Sequence, residues 1–200
     1  MIKKVGVVGT GAMGIGVSQV VARAGLEILI RSRAKARARK AVEIIEGNLQ
    51  GLASSGKISQ EEVDGALART SGTAELTDLD RCDIIVECVA ENYRVKKQLF
   101  GELDKLCPKH AILASNTSSL SITELASSTE KPEKFVGMHF FNPVQVMKLV
   151  EIVRGVKTSE ETMYRAKELA KKLGRTPIEV KDNPGFIVNN LNSASFREYV

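Results

Sequence analysis

The segment Val5–Gly14, which reads Val-Gly-Val-Val-Gly-Thr-Gly-Ala-Met-Gly, decides the fold of this chain. Its first four residues have the character of a short buried strand, and residues 15–24 carry apolar side chains at helical spacing after the glycines. Further apolar runs at 83–89 and 111–115 lie between helical segments, as expected for parallel strands covered on both faces. The sequence therefore predicts an α/β fold of the Rossmann type, a doubly wound and mostly parallel sheet with helices on both sides.

The three glycines of the loop have separate roles in the predicted fold. Gly9 permits a tight turn, Gly11 lets the backbone approach a pyrophosphate, and Gly14 allows the helix to pack closely on the strand. The start of the helix at Ala12 and Met13 then offers amide hydrogens to the phosphates. Many such glycine patterns are ordinary turns, but the position directly behind an N-terminal strand favours a dinucleotide-binding site.

The end of the second predicted strand, Leu26–Ile30, indicates which dinucleotide binds. Folds that bind NAD carry an acidic residue here for the ribose 2′-hydroxyl, whereas this chain reads Arg31-Ser32-Arg33. A carboxylate would repel a 2′-phosphate, while a hydroxyl and two guanidinium groups can hydrogen-bond it. We therefore predict NADP(H) in preference to NAD(H). The alternative is that Ser32 is a neutral replacement in an enzyme that uses NAD.

Six basic residues and no acidic residue lie between Arg31 and Lys40. Cations at the start of a helix oppose its dipole, so either a nearby anion offsets the cost or the helix begins late, near Ala41. A solvated face and a role in binding ligand phosphates both fit this run, whereas an RNA-binding patch fits poorly because no aromatic residues are interleaved. Helical patterns at 41–53 and 60–68 then predict a helical arm.

The composition is that of an ordinary globular domain. Of the 200 residues, 43% are hydrophobic and 26% are charged, and no apolar stretch reaches membrane-spanning length. The three cysteines, Cys82, Cys88 and Cys107, have neither disulfide-like nor metal-like spacing. The net charge of +5 suits a phosphate-rich ligand without indicating nucleic acid. We expect a soluble, unprocessed, cytoplasmic protein without a metal, membrane or nucleic-acid partner.

A histidine and a glutamate mark the candidate reaction centre. His139 follows a strand-like run at 135–138, and after a turn a second strand is predicted over 146–153. Such a hairpin brings Glu151 beside His139, where a carboxylate fixes the ring tautomer through one nitrogen and leaves the other to take a proton from a substrate. The alternative is a structural histidine held by a backbone carbonyl, with the glutamate on a solvated strand face.

Four segments carry a resemblance to one enzyme family. They are His-Phe-Phe-Asn-Pro at 139–143, Met-Lys-Leu-Val-Glu at 147–151, Ala-Ser-Asn-Thr-Ser-Ser at 114–119 and Pro-Gly-Phe-Ile-Val-Asn at 184–189. The chain resembles the L-3-hydroxyacyl-CoA dehydrogenases from Val5 to Asn189. The resemblance implies an oxidoreductase that interconverts L-3-hydroxyacyl-CoA and 3-ketoacyl-CoA by hydride transfer with NAD(P). We expect short-chain substrates, 3-hydroxybutyryl-CoA and acetoacetyl-CoA.

The resemblance also implies roles for individual residues. His139 is expected to act as base toward the substrate hydroxyl and Glu151 to orient it. Ser118 and Asn189 are expected to contact the reacting oxygen, so that they bind substrate together with His139. Lys57 of the helical arm is expected to bind the CoA. Besides the glycine loop and Arg31-Ser32-Arg33, the residues assigned to the cofactor are Glu91, Lys96, Asn116, Ser118 and Asn142. Without the resemblance, the charged members of this set would be surface groups at a helix start, and Asn189 an exposed helix residue.

We expect a dinucleotide-binding domain over residues 1–183 and the start of a junction helix over 184–200. Enzymes of the resembled family continue into an all-helical C-terminal domain, which closes the substrate cleft and forms the dimer. We expect that domain to be absent from a chain that stops at Val200, and we expect a homodimer for a full-length form. The alternatives are a cofactor-binding fragment without catalysis and a related dehydrogenase that acts on a free hydroxyacid.

Overall fold

A computed structural model describes residues 2–191 of the chain. These residues form one eight-stranded sheet in the order β3-β2-β1-β4-β5-β6-β7-β8. The strands are β1 (Lys4–Val8), β2 (Glu27–Arg31), β3 (Thr70–Thr73), β4 (Ile84–Glu87), β5 (Ile112–Ser115), β6 (Phe135–Phe140), β7 (Leu149–Arg154) and β8 (Thr176–Lys181). Neighbouring strands pair in parallel except for β6 and β7. The predicted mostly parallel α/β fold is confirmed.

Helices cover both faces of this sheet. They are α1 (Ala12–Arg23), α2 (Lys35–Ser54), α3 (Gln60–Ala68), α4 (Tyr93–Leu106), α5 (Ile122–Ala126) and α6 (Glu160–Lys172). Successive residues of a strand point to opposite faces. Ile84 and Val86 of β4 therefore enter the core formed with α1, α2 and α6, while Ile85 enters the core formed with α4 and α5. Within residues 2–191, no helix has both the length and the apolar character needed to cross a bilayer.

The glycine loop joins β1 to α1 by close backbone contacts. Gly9 has a φ of 123°, and a Cβ at this position would lie 2.4 Å from the carbonyl oxygen of Cys88. A Cβ at Gly14 would lie 2.1 Å from the carbonyl oxygen of Gly9. A Cβ at Gly11, in contrast, would meet no atom of the described residues within 4 Å apart from its immediate neighbours in the chain. Gly9 and Gly14 thus exclude a side chain for reasons internal to the fold, whereas the space beside Gly11 is open.

The antiparallel pair β6–β7 reverses the chain beside the parallel part of the sheet. The connecting loop turns at Pro143, whose carbonyl accepts hydrogen bonds from the amides of Val146 and Met147 at 3.0 Å each. The second strand therefore begins at Leu149 and not at Val146 as predicted, because these residues are used in the turn. The side chain of Val144 packs against Gly16 of α1, where a Cβ would approach it within 2.9 Å.

The helical arm differs from the prediction at its start. Helix α2 begins at Lys35, six residues earlier than Ala41, so most of the basic run is helical. Glu43 supplies an anion to this region, since its carboxylate lies 3.0 Å from Nε of Arg39 and 3.4 Å from Nζ of Lys40. Buried Ala38 anchors this early start in the core.

Strand β3 was not predicted, because Thr70–Thr73 reads Thr-Ser-Gly-Thr and carries no apolar pattern. It exists through its parallel pairing with β2.

Candidate active site

A cavity of about 330 Å³ opens at the carboxyl ends of β4, β5 and β6, beside the start of α1. Ligands of open α/β sheets bind at this edge of the sheet. The residues that line the cavity are Met13, Cys88, Val89, Glu91, Lys96, Asn116, Ser118, His139, Phe140, Phe141 and Asn142. The cavity thus lies between the start of α1, which follows the glycine loop, and the end of β6, which carries His139.

His139 and Glu151 form a buried pair at this cavity. They are register partners on β6 and β7, and Nδ1 of His139 lies 2.7 Å from Oε2 of Glu151. The side chain of His139 is 8% exposed and that of Glu151 is 0% exposed. An ionised carboxylate only accepts hydrogen bonds, so with Glu151 ionised Nδ1 carries the hydrogen, and in a neutral ring Nε2 is then the acceptor. The structure therefore places a carboxylate, and not a backbone carbonyl, at this ring nitrogen.

The segment after β8 also contacts the pair. The backbone amides of Ile187 and Val188 each donate to Oε1 of Glu151 at 3.0 Å. The ring of Phe186 lies with its centroid 5.7 Å from that of His139. Asn189, predicted to contact the substrate, donates from Nδ2 to the carbonyl oxygen of Ser118 at 3.0 Å. The end of the described chain is therefore part of the structure around the pair.

A charged network lies under one wall of the cavity. Nζ of Lys96 lies 2.6 Å from Oε1 of Glu87 and 3.1 Å from Oε2 of Glu91. The hydroxyl of Ser115 donates to the other oxygen of Glu87 at 2.7 Å. The side chain of Lys96 is only 2% exposed, so the interpretation of this residue as a surface charge is wrong.

Glu91 connects this network to the loop after β5. Its carboxylate accepts hydrogen bonds from the hydroxyl of Thr117 and, at 3.2 Å, from the amide of Ser118. Burial raises the pKa of Glu91, but the Thr117 hydroxyl and the charge of Lys96 outweigh this effect and hold the pKa below its usual value. Glu91 therefore stays ionised and fixes the backbone that presents Ser118 to the cavity.

The two asparagines assigned to the cofactor both line the cavity. Oδ1 of Asn116 accepts a hydrogen bond from the amide of Phe140 at 2.8 Å and thereby ties the loop after β5 to the end of β6. Asn142 immediately follows the two phenylalanines that line the cavity, and its bond to Pro143 is cis.

The glycine loop has the features needed to hold a dinucleotide. Gly11 is the N-cap of α1 and has no side chain to satisfy the first amides of that helix, which have no acceptor within the helix itself. The open space beside Gly11 would accommodate a pyrophosphate at these amides. The amide of Gly9 donates to the carbonyl oxygen of Arg31 at 3.0 Å, which places the end of β2 beside the loop. Ser32 and exposed Arg33 follow at this point, while Nε of Arg31 donates to the carbonyl of Ala74 at 3.2 Å.

Several predicted residues lie outside the cavity wall. Lys57 is exposed in the turn between α2 and α3 and does not line the cavity. The residues at the end of β2 do not line it either, as expected for a cofactor that extends along the edge of the sheet. Sequence reasoning missed Glu87, although an acidic residue at the end of the apolar run Ile84–Val86 is a signal that could have identified it.

Comparison with known proteins gives the family. Residues 4–183 match the family described as "3-hydroxyacyl-CoA dehydrogenase, NAD binding domain". The chain belongs to this family. The resemblance recognised in the sequence is thereby confirmed.

Two curated relatives of this 3-hydroxyacyl-CoA dehydrogenase domain come from bacteria. A "Probable 3-hydroxybutyryl-CoA dehydrogenase" of Bacillus subtilis is 43% identical over 190 residues, which are 95% of this chain and 66% of the relative. A "3-hydroxybutyryl-CoA dehydrogenase" of Clostridioides difficile is 42% identical over 188 residues, which are 94% of this chain and 67% of the relative. The chain thus spans about two thirds of the length of these relatives.

The fold of the domain is also that of solved members of the family. The crystal structure of (S)-3-hydroxybutyryl-CoA dehydrogenase PaaH1 from Ralstonia eutropha superposes with a TM-score of 0.96 at 40% identity. The superposition covers 99% of this chain and 70% of that protein.

Proposed function

We propose that this chain carries the cofactor-binding and proton-transfer part of a dehydrogenase that interconverts L-3-hydroxyacyl-CoA and 3-ketoacyl-CoA. The observation that supports this most strongly is the His139–Glu151 pair, which opens onto the same cavity as Met13 of the glycine helix. An acid–base residue and a dinucleotide-binding helix at one cavity are the two elements that oxidation of an alcohol requires.

The residues of the chain take the following roles in this proposal. Nε2 of His139 accepts the proton of the substrate hydroxyl, and Glu151 holds the ring and stabilises the imidazolium that forms. Ser118 and Asn189 keep the reacting oxygen beside the ring. When bound, the nicotinamide supplies the acceptor for the hydride that leaves C3 of the substrate. In the reductive direction His139 returns the proton to the oxygen.

We infer that the domain binds NADP(H) in preference to NAD(H). Ser32 and Arg33 follow β2 beside the glycine loop, and no carboxylate stands at the end of β2 to repel a 2′-phosphate. Nε of Arg31 already donates to the carbonyl oxygen of Ala74, so Ser32 and Arg33 are the stronger candidates for binding the 2′-phosphate.

We further propose a short acyl chain on the substrate, because relatives with about 40% identity are named for 3-hydroxybutyryl-CoA. Lys57 stays our candidate for the CoA, although it lies away from the cavity wall. The division of the chain into a dinucleotide-binding domain over 1–183 and a junction helix from 184, a homodimer for the full-length form and a cytoplasmic location also stay predictions.

The test is a spectrophotometric assay of acetoacetyl-CoA reduction with NADPH and with NADH, accompanied by calorimetric binding of each dinucleotide. We expect turnover with acetoacetyl-CoA, a lower KM for NADPH, and no turnover with free acetoacetate. Turnover of the free acid would favour a hydroxyacid dehydrogenase. Dinucleotide binding without turnover would favour a cofactor-binding fragment. Equal or better use of NADH would contradict the inference drawn from Ser32.

A further inference from the structure

The carboxylate of Glu151 is held from two sides. Oε2 accepts from Nδ1 of His139 at 2.7 Å, and Oε1 accepts from the amides of Ile187 and Val188 at 3.0 Å each. The side chain is completely buried. Three donors therefore fix a group that has no contact with solvent.

Strand pairing alone does not fix this carboxylate. The register of β6 and β7 sets the backbones of His139 and Glu151 opposite each other, but it leaves the side-chain torsions of Glu151 free. The backbone amides of Ile187 and Val188 remove that freedom, because both donate to the same oxygen and so orient the other oxygen toward the histidine. A buried carboxylate without these donors would also bear an unsatisfied oxygen.

The segment that carries these amides is anchored at both ends. Before it, the carboxylate of Asp182 accepts hydrogen bonds from the hydroxyl of Ser121 and the amides of Ile122 and Thr123 at 2.8 to 2.9 Å. After it, Asn189 donates to the carbonyl oxygen of Ser118. The groups that Asp182 and Asn189 contact all lie in the loop and helix that follow β5.

Between the anchors, Phe186 has a φ of 54°, a conformation that costs energy for a residue other than glycine. Its side chain is only 3% exposed and packs near the histidine ring. The fold therefore retains a strained turn at the point where the chain presents its next two amides to Glu151.

We propose that the backbone amides of Ile187 and Val188 are positioning groups for the catalytic pair. They hold Glu151 in the rotamer that keeps His139 as the tautomer with hydrogen on Nδ1, so that Nε2 is available as the base. Displacement of segment 183–189 then weakens the hydrogen bond between Glu151 and His139. The effect of the amides on the tautomer of His139 does not depend on the proposed function. Their effect on turnover does rest on it.

Val188→Pro tests the proposal. It removes one of the two amide donors while deleting no side chain that lines the cavity, and proline is well tolerated at the first residue of a helix, which position 188 is. Val188→Ala is the matched control, because it shortens the same side chain and keeps the amide.

Nitrogen NMR of the histidines gives a readout that does not depend on activity. The chain has two histidines, and His110, whose side chain is 62% exposed and faces Asp83 at the opposite edge of the sheet, is an internal reference. We expect the Nδ1–H form of neutral His139 to predominate in the parent and in Val188→Ala. In Val188→Pro, the ratio of Nδ1–H to Nε2–H should fall by about two- to tenfold, the range that corresponds to one ordinary hydrogen bond. The signals of His110 should not move. Equal ratios in the two variants would overturn the proposal.

A second measurement applies even if Val188→Pro does not fold. In Glu151→Gln the charge on the acceptor is lost, so the amide proton resonances of Ile187 and Val188 should move upfield relative to the parent. Unchanged resonances in a folded Glu151→Gln protein would overturn the proposal as well.

Kinetics then separate this proposal from the proposed function. We expect kcat of Val188→Pro to fall about two- to tenfold with an unchanged KM for the dinucleotide. A tautomer shift in a protein without dehydrogenase activity would contradict the proposed function and leave the positioning role in place. Full dehydrogenase activity of Val188→Pro with an unchanged tautomer ratio would contradict the positioning role and leave the proposed function in place.

Discussion

Nζ of Lys96 lies 2.6 Å from Oε1 of Glu87 in the interior of the domain, where the two side chains are 2% and 0% exposed. A buried pair of this kind contributes little net stability when intact, but the loss of one partner leaves an uncompensated charge away from water. The pair also supports the cavity wall, because Lys96 contacts Glu91, which in turn binds the backbone at Ser118.

Lys96→Met should therefore destabilise the protein by about 3–5 kcal/mol, because it leaves Glu87 buried without a cation. Urea unfolding measures this effect. Lys97→Met, on the exposed face of the same helix, is the control and should change stability by less than about 1 kcal/mol. A similar small loss for both variants would contradict the interpretation of Lys96 as a buried structural cation.

Replacement of Ser32 should change the choice of dinucleotide. In Ser32→Asp the new carboxylate would repel a 2′-phosphate and accept a hydrogen bond from a 2′-hydroxyl, so affinity for NADPH should fall about 10- to 100-fold while affinity for NADH rises. Calorimetric titration of both dinucleotides checks this. Ser32→Ala, which removes the hydroxyl without adding charge, should weaken NADPH binding only slightly. An unchanged NADPH affinity in Ser32→Asp would show that the 2′-phosphate does not lie here.

Removal of the histidine should separate binding from chemistry. His139→Ala should lower kcat by about 10²–10⁴, the usual contribution of a general base, and leave dinucleotide affinity nearly unchanged. Steady-state kinetics and calorimetry measure the two quantities. His110→Ala, at the opposite edge of the sheet, should retain the parent rate. A loss of dinucleotide binding in His139→Ala would instead indicate a structural histidine.

Two glycines of the cofactor loop should respond differently to alanine. Gly14→Ala should destabilise the fold by about 1–3 kcal/mol, because its methyl group would overlap the carbonyl oxygen of Gly9. Gly11→Ala should cost the fold less than about 1 kcal/mol, the effect of alanine at an N-cap, but reduce dinucleotide affinity about tenfold or more, because its methyl group would enter the space proposed for the pyrophosphate. Unchanged affinity in Gly11→Ala would place the phosphates elsewhere.

Asp182 should make stability depend on pH. Burial raises the pKa of Asp182, but hydrogen bonds from Thr123, Ile122 and Ser121 outweigh burial and hold the pKa below its ordinary value of 3.8. Since the folded state favours the ionised form, the stabilisation is present above that ordinary value and is lost as the pH falls below it.

Asp182→Ala should therefore cost about 1–2 kcal/mol near pH 7 and clearly less near pH 3. Urea unfolding at both pH values checks this, with Asp64→Ala at an exposed position of α3 as the control. An equal cost at both pH values would mean that the hydrogen bonds to Asp182 do not depend on its charge.

The parts of the fold that the sequence predicts are those that local pattern specifies. The strand, glycine loop and first helix follow from an apolar run, from turns that only glycine allows and from helical spacing. Strand β3 could not be predicted, because its residues are polar and only pairing with β2 makes them a strand. The early start of α2 was missed for a related reason, since burial of Ala38 and the anion of Glu43 outweigh the unfavourable dipole.

The site was predictable to the extent that its residues follow strand ends. The predicted hairpin was enough to place Glu151 beside His139. Glu91 and Ser118 follow the carboxyl ends of β4 and β5, and both line the cavity. Burial of Lys96 was not predictable, since its partner Glu87 lies on another element and a charged residue at a helix start is usually solvated. The amides that hold Glu151 could not be predicted, because every residue except proline has a backbone N–H and the sequence does not single out those of Ile187 and Val188.

The antiparallel pairing of β6 and β7 has a consequence for engineering. Because side chains alternate along a strand, a shift of the two strands by a single residue would turn Glu151 to the other face of the sheet and abolish the pair. The exposed side chains of Val146 and Met147 at the tip of the hairpin can instead be replaced without altering that alignment. Mutational libraries that vary these two side chains would thus change the surface of the hairpin loop while leaving the His139–Glu151 pair intact.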